Sequence, residues 1–169
     1  HLMASIYALS ITNLLIEVDG PEIPILDGSA KLIIKKLQQT GLRNQNAQQN
    51  ELSWSNYFKV EDGDSKIEFF PCSDLDITVK IDYESSVLNP QVARLKKLQD
   101  FESEIAPSRT FCFLHELSHL LNKNLIKGGN IENSIVFVEE TTKADDLGKL
   151  NMHLSKEVKI IEKGILNNK

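Results

Sequence analysis

The chain has 169 residues, enough for one ordinary domain or two small ones, and its 41% hydrophobic content is ample for a packed core, which excludes a disordered polypeptide. Its 19 basic residues are interspersed among 24 acidic ones for a net charge of −5, so there is no continuous positive stripe to track a phosphate backbone, and nucleic acid is excluded as an expected partner. No apolar run approaches the roughly 20 residues needed to span a bilayer, and His1-Leu2-Met3 has neither a basic leader nor a cleavage site, so a cytoplasmic protein without stable membrane insertion is expected.

The chain opens on a histidine, with the apolar pattern of a helix already running at Leu2, Met3, Ile6 and Leu9, which points to a true start upstream. Residues 14–18, Leu-Leu-Ile-Glu-Val, read as a short strand stopped by Asp19-Gly20-Pro21. A second extended run, 23–26, meets Asp27-Gly28-Ser29, where Asp or Ser can cap the helix predicted over 30–42 with its stripe at Leu32, Ile33, Leu37 and Leu42. Residues 43–52 hold almost nothing a core could use and read as a solvated linker at a domain boundary.

Beyond it, 57–60, 65–70 and 75–83, separated by Asp62-Gly63-Asp64 and Pro71-Cys72-Ser73-Asp74, predict an antiparallel meander. In 75–83 the odd positions are apolar and the even ones polar, as in a sheet with one face on a core. Residues 93–105 fit either a helix or a loop before Ala106-Pro107. A helix is predicted over 110–123, with Phe113, Leu114, Leu117, Leu120 and Leu121 buried, then a turn at Gly128-Gly129-Asn130 and a strand over 134–138. The tail offers a weak helical pattern over 147–152 and a strand-like 158–161. Cys72 and Cys112 lack a C-x-x-C partner, which argues against a disulfide framework or a thiolate metal site and predicts two ordinary buried thiols.

His115-Glu116-Leu117-Ser118-His119 matches H-E-x-x-H, in which two histidines one helical turn apart hold zinc and the glutamate activates water. A protease of this type also needs a third ligand, and Leu120-Leu121-Asn122-Lys123-Asn124-Leu125 supplies neither the glycine nor the histidine of the extended motif. The apolar stripe moreover leaves His115, Glu116 and His119 on the polar side, so a solvated helix face is the simpler expectation.

Three blocks, in order, carry a different signal. The first runs from His1-Leu2-Met3-Ala4 through residues 11–18 to Pro21-Glu22-Ile23-Pro24-Ile25-Leu26-Asp27-Gly28-Ser29-Ala30. The second is Pro107-Ser108-Arg109-Thr110-Phe111-Cys112-Phe113-Leu114 followed by residues 125–136, and the third is Leu166-Asn167-Asn168-Lys169. Together they resemble the zinc-dependent UDP-3-O-acyl-N-acetylglucosamine deacetylases of bacterial lipid A synthesis.

The resemblance implies an α+β fold of two similar domains, each a small sheet layered against helices, with zinc and a UDP-linked acylated amino sugar held between them. Residues 1–43 would be the end of the first domain, 44–52 the linker and 53–169 the second domain. It implies His1 as the zinc ligand of the family's E-H-L motif, whose general-base glutamate would precede residue 1. The later H-K-x-x-D motif aligns with Thr141-Thr142-Lys143-Ala144-Asp145, which keeps Asp145 as a second ligand but has Thr141 in place of a histidine; His153 is a distant substitute. Gly164 or Ile165 stands where the family keeps a general-acid histidine, while Thr110 and Phe111 match residues used around the acetyl group and acyl chain.

The implied chemistry is amide hydrolysis, in which zinc acidifies its bound water, a carboxylate takes the proton and the metal stabilises the oxyanion. Catalytic zinc normally keeps three protein ligands, so His1 and Asp145 alone would hold it weakly. A non-catalytic remnant of the same fold is therefore the alternative, with the H-E-x-x-H protease behind both.

Overall fold

The computed structural model of the chain describes residues 1–123, 128–130, 132–139, 148, 160–161 and 165–166. The opening apolar pattern forms helix α1, Leu2–Ala8, which buries Ser5 and Ile6. The second expected helix is α2, Lys31–Thr40, stopped at Gly41, whose positive φ of 74° takes the chain out of the helix. Its entry uses the expected polar residues: Asp27 Oδ1 accepts from the Ser29 backbone N–H and hydroxyl, and Ser29 Oγ accepts from the Lys31 N–H at 3.2 Å. The buried stripe is shifted from the expected one. Ile34 is 1% exposed, whereas Leu32 and Leu42 face solvent, because α2 turns Ile34 towards Leu95, Phe101 and Ala106.

The expected strands over 14–18 and 23–26 do not form. A strand needs a ladder partner for its N–H and C=O groups, and none of the described strands pairs with either segment; Leu14, Leu15, Ile16, Val18 and Ile23 are exposed. Residues 43–52 are likewise exposed and irregular.

The expected meander is two separate hairpins. Strands β1, Phe58–Asp62, and β2, Ser65–Phe69, pair across the Asp62-Gly63-Asp64 turn. Strand β3, Ile77–Ile81, pairs not with β2 but with β4, Gln91–Leu95, a strand that the residue pattern did not reveal. The alternation in β3 is real, yet Ile77 and Val79 are exposed, because only the far end of this hairpin, at Leu95, enters the core. A 3-10 turn, Leu98–Asp100, leads into the short helix α3, Phe101–Glu104.

The long helix expected over 110–123 is split. Phe111–Phe113 is strand β5, and only Leu114–Asn122 is helix α4. Strand β5 runs parallel to β6, Ile135–Phe137, with Phe111, Cys112 and Phe113 opposite Ile135, Val136 and Phe137, so a tertiary ladder overrides the helical spacing of the first residues. Two short strands, β7 at Ile160–Ile161 and β8 at Ile165–Leu166, complete a sheet in the order β5-β6-β8-β7. The architecture is α+β, as expected, with three small sheets and short helices among the described residues.

The main buried cluster joins Ala30 and Ile34 to Leu95, Phe101 and Ala106, with Ala8, Leu9 and Ile105 against it. Segments before and after residues 43–52 thus share one core. Backbone bonds reinforce the joint, since the Ala30 N–H donates to the Ala106 carbonyl at 3.0 Å and the Thr110 N–H donates to the Gly28 carbonyl at 2.8 Å. Cys72 is exposed, against the expectation of a buried thiol, because residues 71–74 between β2 and β3 all lie at the surface, while Cys112 is half-buried in β5; both are free.

Candidate functional site

A cavity of about 530 Å³ opens where α1, α3, β5 and the start of α4 converge. Helix α1 contributes Ala4 and the residue at its N-terminal edge, His1; α3 and the turn after it contribute Phe101 and Ile105. The approach to β5 contributes Ser108, Arg109 and Thr110, the strand itself contributes Phe111 and Phe113, and Glu116 and Tyr83 close the rim. Three of the four site residues expected from sequence, His1, Thr110 and Phe111, therefore line one cavity although 109 positions separate the first from the second. The fourth, Asp145, lies outside the described residues, as do Thr141, His153 and Gly164, and Ile165 is described only as part of β8.

Each of the three is placed by the backbone. The His1 carbonyl accepts from the Ser5 N–H at 3.0 Å and from Ser5 Oγ at 2.8 Å, which anchors the first turn and leaves the imidazole exposed at the rim. The Thr110 N–H donates to the Gly28 carbonyl at 2.8 Å, and its carbonyl accepts from the Ile135 N–H at 2.9 Å. Phe111 meets Tyr83, Phe113 and Phe137 edge to face, with centroids 5.7, 6.2 and 5.6 Å away. Such T-shaped contacts match the positive edge of one ring to the negative face of the next and give the wall a fixed apolar surface.

Glu116 and His115 of the H-E-x-x-H segment have local partners. Glu116 Oε2 accepts the Phe113 backbone N–H at 2.9 Å, a carboxylate reaching back to close the first turn of α4 in the manner of a capping box. The His115 ring stacks on Phe113 at 5.5 Å, and its Nδ1 lies 3.4 Å from Glu139 Oε2. His115 and His119 are exposed, as expected of the polar face. Among the described residues no three His, Cys, Asp or Glu side chains converge to hold a metal ion, so this part of the chain offers His1 as a single cavity-lining imidazole. Burial pushes the Cys112 thiol up, opposed by its hydrogen bond with Ser134 and reinforced by the nearby Glu116 charge, which disfavours the nucleophilic thiolate.

The sequence reading assigned no site role to Tyr83, Ser108, Arg109 or Phe113. Arg109 precedes the Thr110-Phe111 pair in the second family-like block, and Phe113 belongs to the expected buried face, where its 4% exposure does place it. Tyr83, at the end of an alternating segment, carried no local signal.

The chain matches the profile of the family described as "LpxC: UDP-3-O-acyl N-acetylglycosamine deacetylase" over residues 1–153. It is 40% identical to the "Bifunctional enzyme LpxC/FabZ" of Porphyromonas gingivalis, covering 100% of this chain and 37% of that protein. It is 38% identical to the "UDP-3-O-acyl-N-acetylglucosamine deacetylase" of Syntrophotalea carbinolica, covering 83% of this chain and 46% of the relative, and 37% identical to the protein of the same name from Vibrio vulnificus, covering 80% and 46%. The chain thus spans less than half the length of these relatives. With a profile match over most of its length and relatives at this identity, the chain belongs to the UDP-3-O-acyl N-acetylglycosamine deacetylase family.

Proposed function

We propose that the protein carrying this chain removes the N-acetyl group of a UDP-linked 3-O-acyl-N-acetylglucosamine, a hydrolytic step of lipid A biosynthesis in the cytoplasm. The observation that carries the reading is the convergence of His1, Thr110 and Phe111 on one cavity whose lining combines polar and charged groups at His1, Ser108, Arg109, Thr110 and Glu116 with aromatic rings at Phe111, Phe113 and Tyr83. A substrate with a polar amide and a long acyl chain needs both kinds of surface. The Thr110 hydroxyl is suited to donate to the amide carbonyl oxygen, and the edge-packed rings shield the acyl chain from water.

In this reading the protein is a zinc enzyme with His1 as one ligand. The described residues do not by themselves compose a zinc site, and Asp145 is the other ligand position that the resemblance implies. Zinc held there would acidify a bound water and polarise the acetamide carbonyl. Residues 1–43 and 53–169 are proposed as parts of two domains joined by the solvated segment 44–52 and packed on each other through the shared cluster of Ala30, Ile34, Leu95, Phe101 and Ala106.

The test is purification of the complete gene product, with zinc content and acetate release from UDP-3-O-acyl-N-acetylglucosamine measured together. Stoichiometric zinc and turnover are expected, and both should drop to background in His1→Ala. Zinc-independent turnover would remove the metal from the reading. Substrate binding without turnover would instead identify a non-catalytic member of the fold.

A further inference from the structure

Arg109 sits next to Thr110 and joins three segments that are remote in sequence. Its Nε donates to the Asp27 carbonyl at 2.9 Å, its Nη2 donates to the Glu132 carbonyl, and the neighbouring Thr110 bonds through its backbone to both Gly28 and Ile135. The two loops that Arg109 spans also touch each other: a Cβ added at Gly28, whose φ is 79°, would overlap the Asn133 carbonyl oxygen. Asn133 is itself held, donating from Nδ2 to the Gly128 carbonyl at 2.9 Å and accepting from the Asn130 N–H at 2.7 Å.

From this geometry we infer that Arg109 is a positioning residue for the substrate, a guanidinium clamp that locks the 27–30 turn against the loop at 132–134 and so fixes the cavity wall at Thr110 and Phe111. The inference rests on the deacetylase reading. It depends on the planar fork: one guanidinium satisfies two carbonyls pointing from different loops, whereas the single ammonium of lysine reaches one. Arg109 also lines the cavity, but its Nε and Nη2 are committed to the Asp27 and Glu132 carbonyls, so the role inferred for it is exerted through its neighbours.

The test compares Arg109→Lys and Gly28→Ala, two lesions of one junction, in the complete gene product. Loss of one charge-assisted hydrogen bond corresponds to about a tenfold rise in KM for the acylated UDP-sugar, with kcat held within about twofold, because a displaced wall weakens ground and transition states alike. Zinc content should not change. A merely structural role would reduce the active fraction, lowering apparent kcat at unchanged KM, and that result in Arg109→Lys would overturn the inference even if Gly28→Ala failed to fold. Amide hydrogen exchange at Thr110 and Ile135 supplies the second arm: faster exchange in Arg109→Lys supports the clamp, and unchanged protection overturns it. An inactive wild-type protein would defeat the deacetylase reading and leave the clamp to be decided by that exchange alone.

Discussion

The cavity-bearing core and the β1–β2 hairpin both contain large apolar side chains and differ in what those side chains touch. In the core, Ile34 and Leu114 are each 1% exposed and Ala106 is fully buried. In the hairpin, Val60 and Ile67 face each other across the ladder and are 54% and 60% exposed. The first region draws on segments far apart in sequence; the second is held by its own ladder, the Lys59–Glu61 and Lys66–Glu68 ion pairs and the stacked rings of Phe58 and Phe69, 4.1 Å apart. Exposed ion pairs of this kind contribute little, and a lone two-stranded hairpin is marginal in water. Hydrophobic composition therefore does not say where the stability lies; closure by remote partners does.

The sharpest way to break this contrast is a matched pair of truncations. Ile34→Ala should cost about 2–5 kcal/mol by opening a cavity among Leu95, Phe101 and Ala106, enough to unfold a marginal domain. Ile67→Ala should stay within about 0.5 kcal/mol. Denaturant unfolding measures both, and equal losses would show that the hairpin face belongs to the core.

A smaller effect sharpens the same comparison through Trp54, the sole tryptophan, whose ring lies 5.3 Å from Phe58. Phe58→Ala removes that contact and the stack on Phe69, worth about 0.5–1.5 kcal/mol per aromatic pair. Trp54 fluorescence should then report hairpin opening at a lower temperature than the far-ultraviolet helix signal, which reads the core. Coincident transitions would mean that hairpin and core melt as one unit.

The same division explains what was legible in the sequence. Helices α1 and α2 were readable because their periodicity and the Asp27-Gly28-Ser29 entry act locally. The segment 14–18 looked like a strand by composition, yet a strand is defined by a partner, and composition cannot supply one. The same blindness hid β4, whose polar Gln91 and Arg94 gave no pattern but whose register with β3 is complete from Ile77–Leu95 to Ile81–Gln91. Residues 111–113 fitted a helix by spacing and became β5 because Ile135, Val136 and Phe137 lie alongside. At the site, His1, Thr110 and Phe111 were found only through the family resemblance, since nothing in local spacing links the first residue to the 110th. The Arg109 clamp was invisible for a related reason: its partners are backbone carbonyls, and carbonyls have no sequence.

The smallest expected effect separates the two regions by pH. Arg94, bonded to Asp76 through Nε at 2.9 Å and Nη2 at 2.5 Å, holds the Asp76 carboxyl below its ordinary value; hydrogen bonds from Lys66 and Tyr57 do the same for Glu68. A carboxylate whose folded pKa is depressed contributes stability that is fully present above its unfolded pKa and is lost as pH falls through the folded one. Both hairpins should therefore weaken below about pH 4. Lys66 is raised, chiefly by its hydrogen bond to Glu68, and Tyr57 is raised by desolvation and then by Glu68, so their contributions are present below their unfolded pKa values and lost as pH climbs through the folded ones. The β1–β2 hairpin thus has a stability window closed on the acid side by Glu68 and on the alkaline side by Tyr57 and Lys66, all on its solvated face. The core cluster of Ala30, Ile34, Leu95, Phe101 and Ala106 contains no titratable group and should not share that window. Trp54 fluorescence across pH reads the hairpin, and about 1 M salt should flatten its dependence by screening the exposed charges. A profile that persists in high salt and is matched by the helix signal would place the titrating groups in the core instead, and the contrast between the two regions would fail.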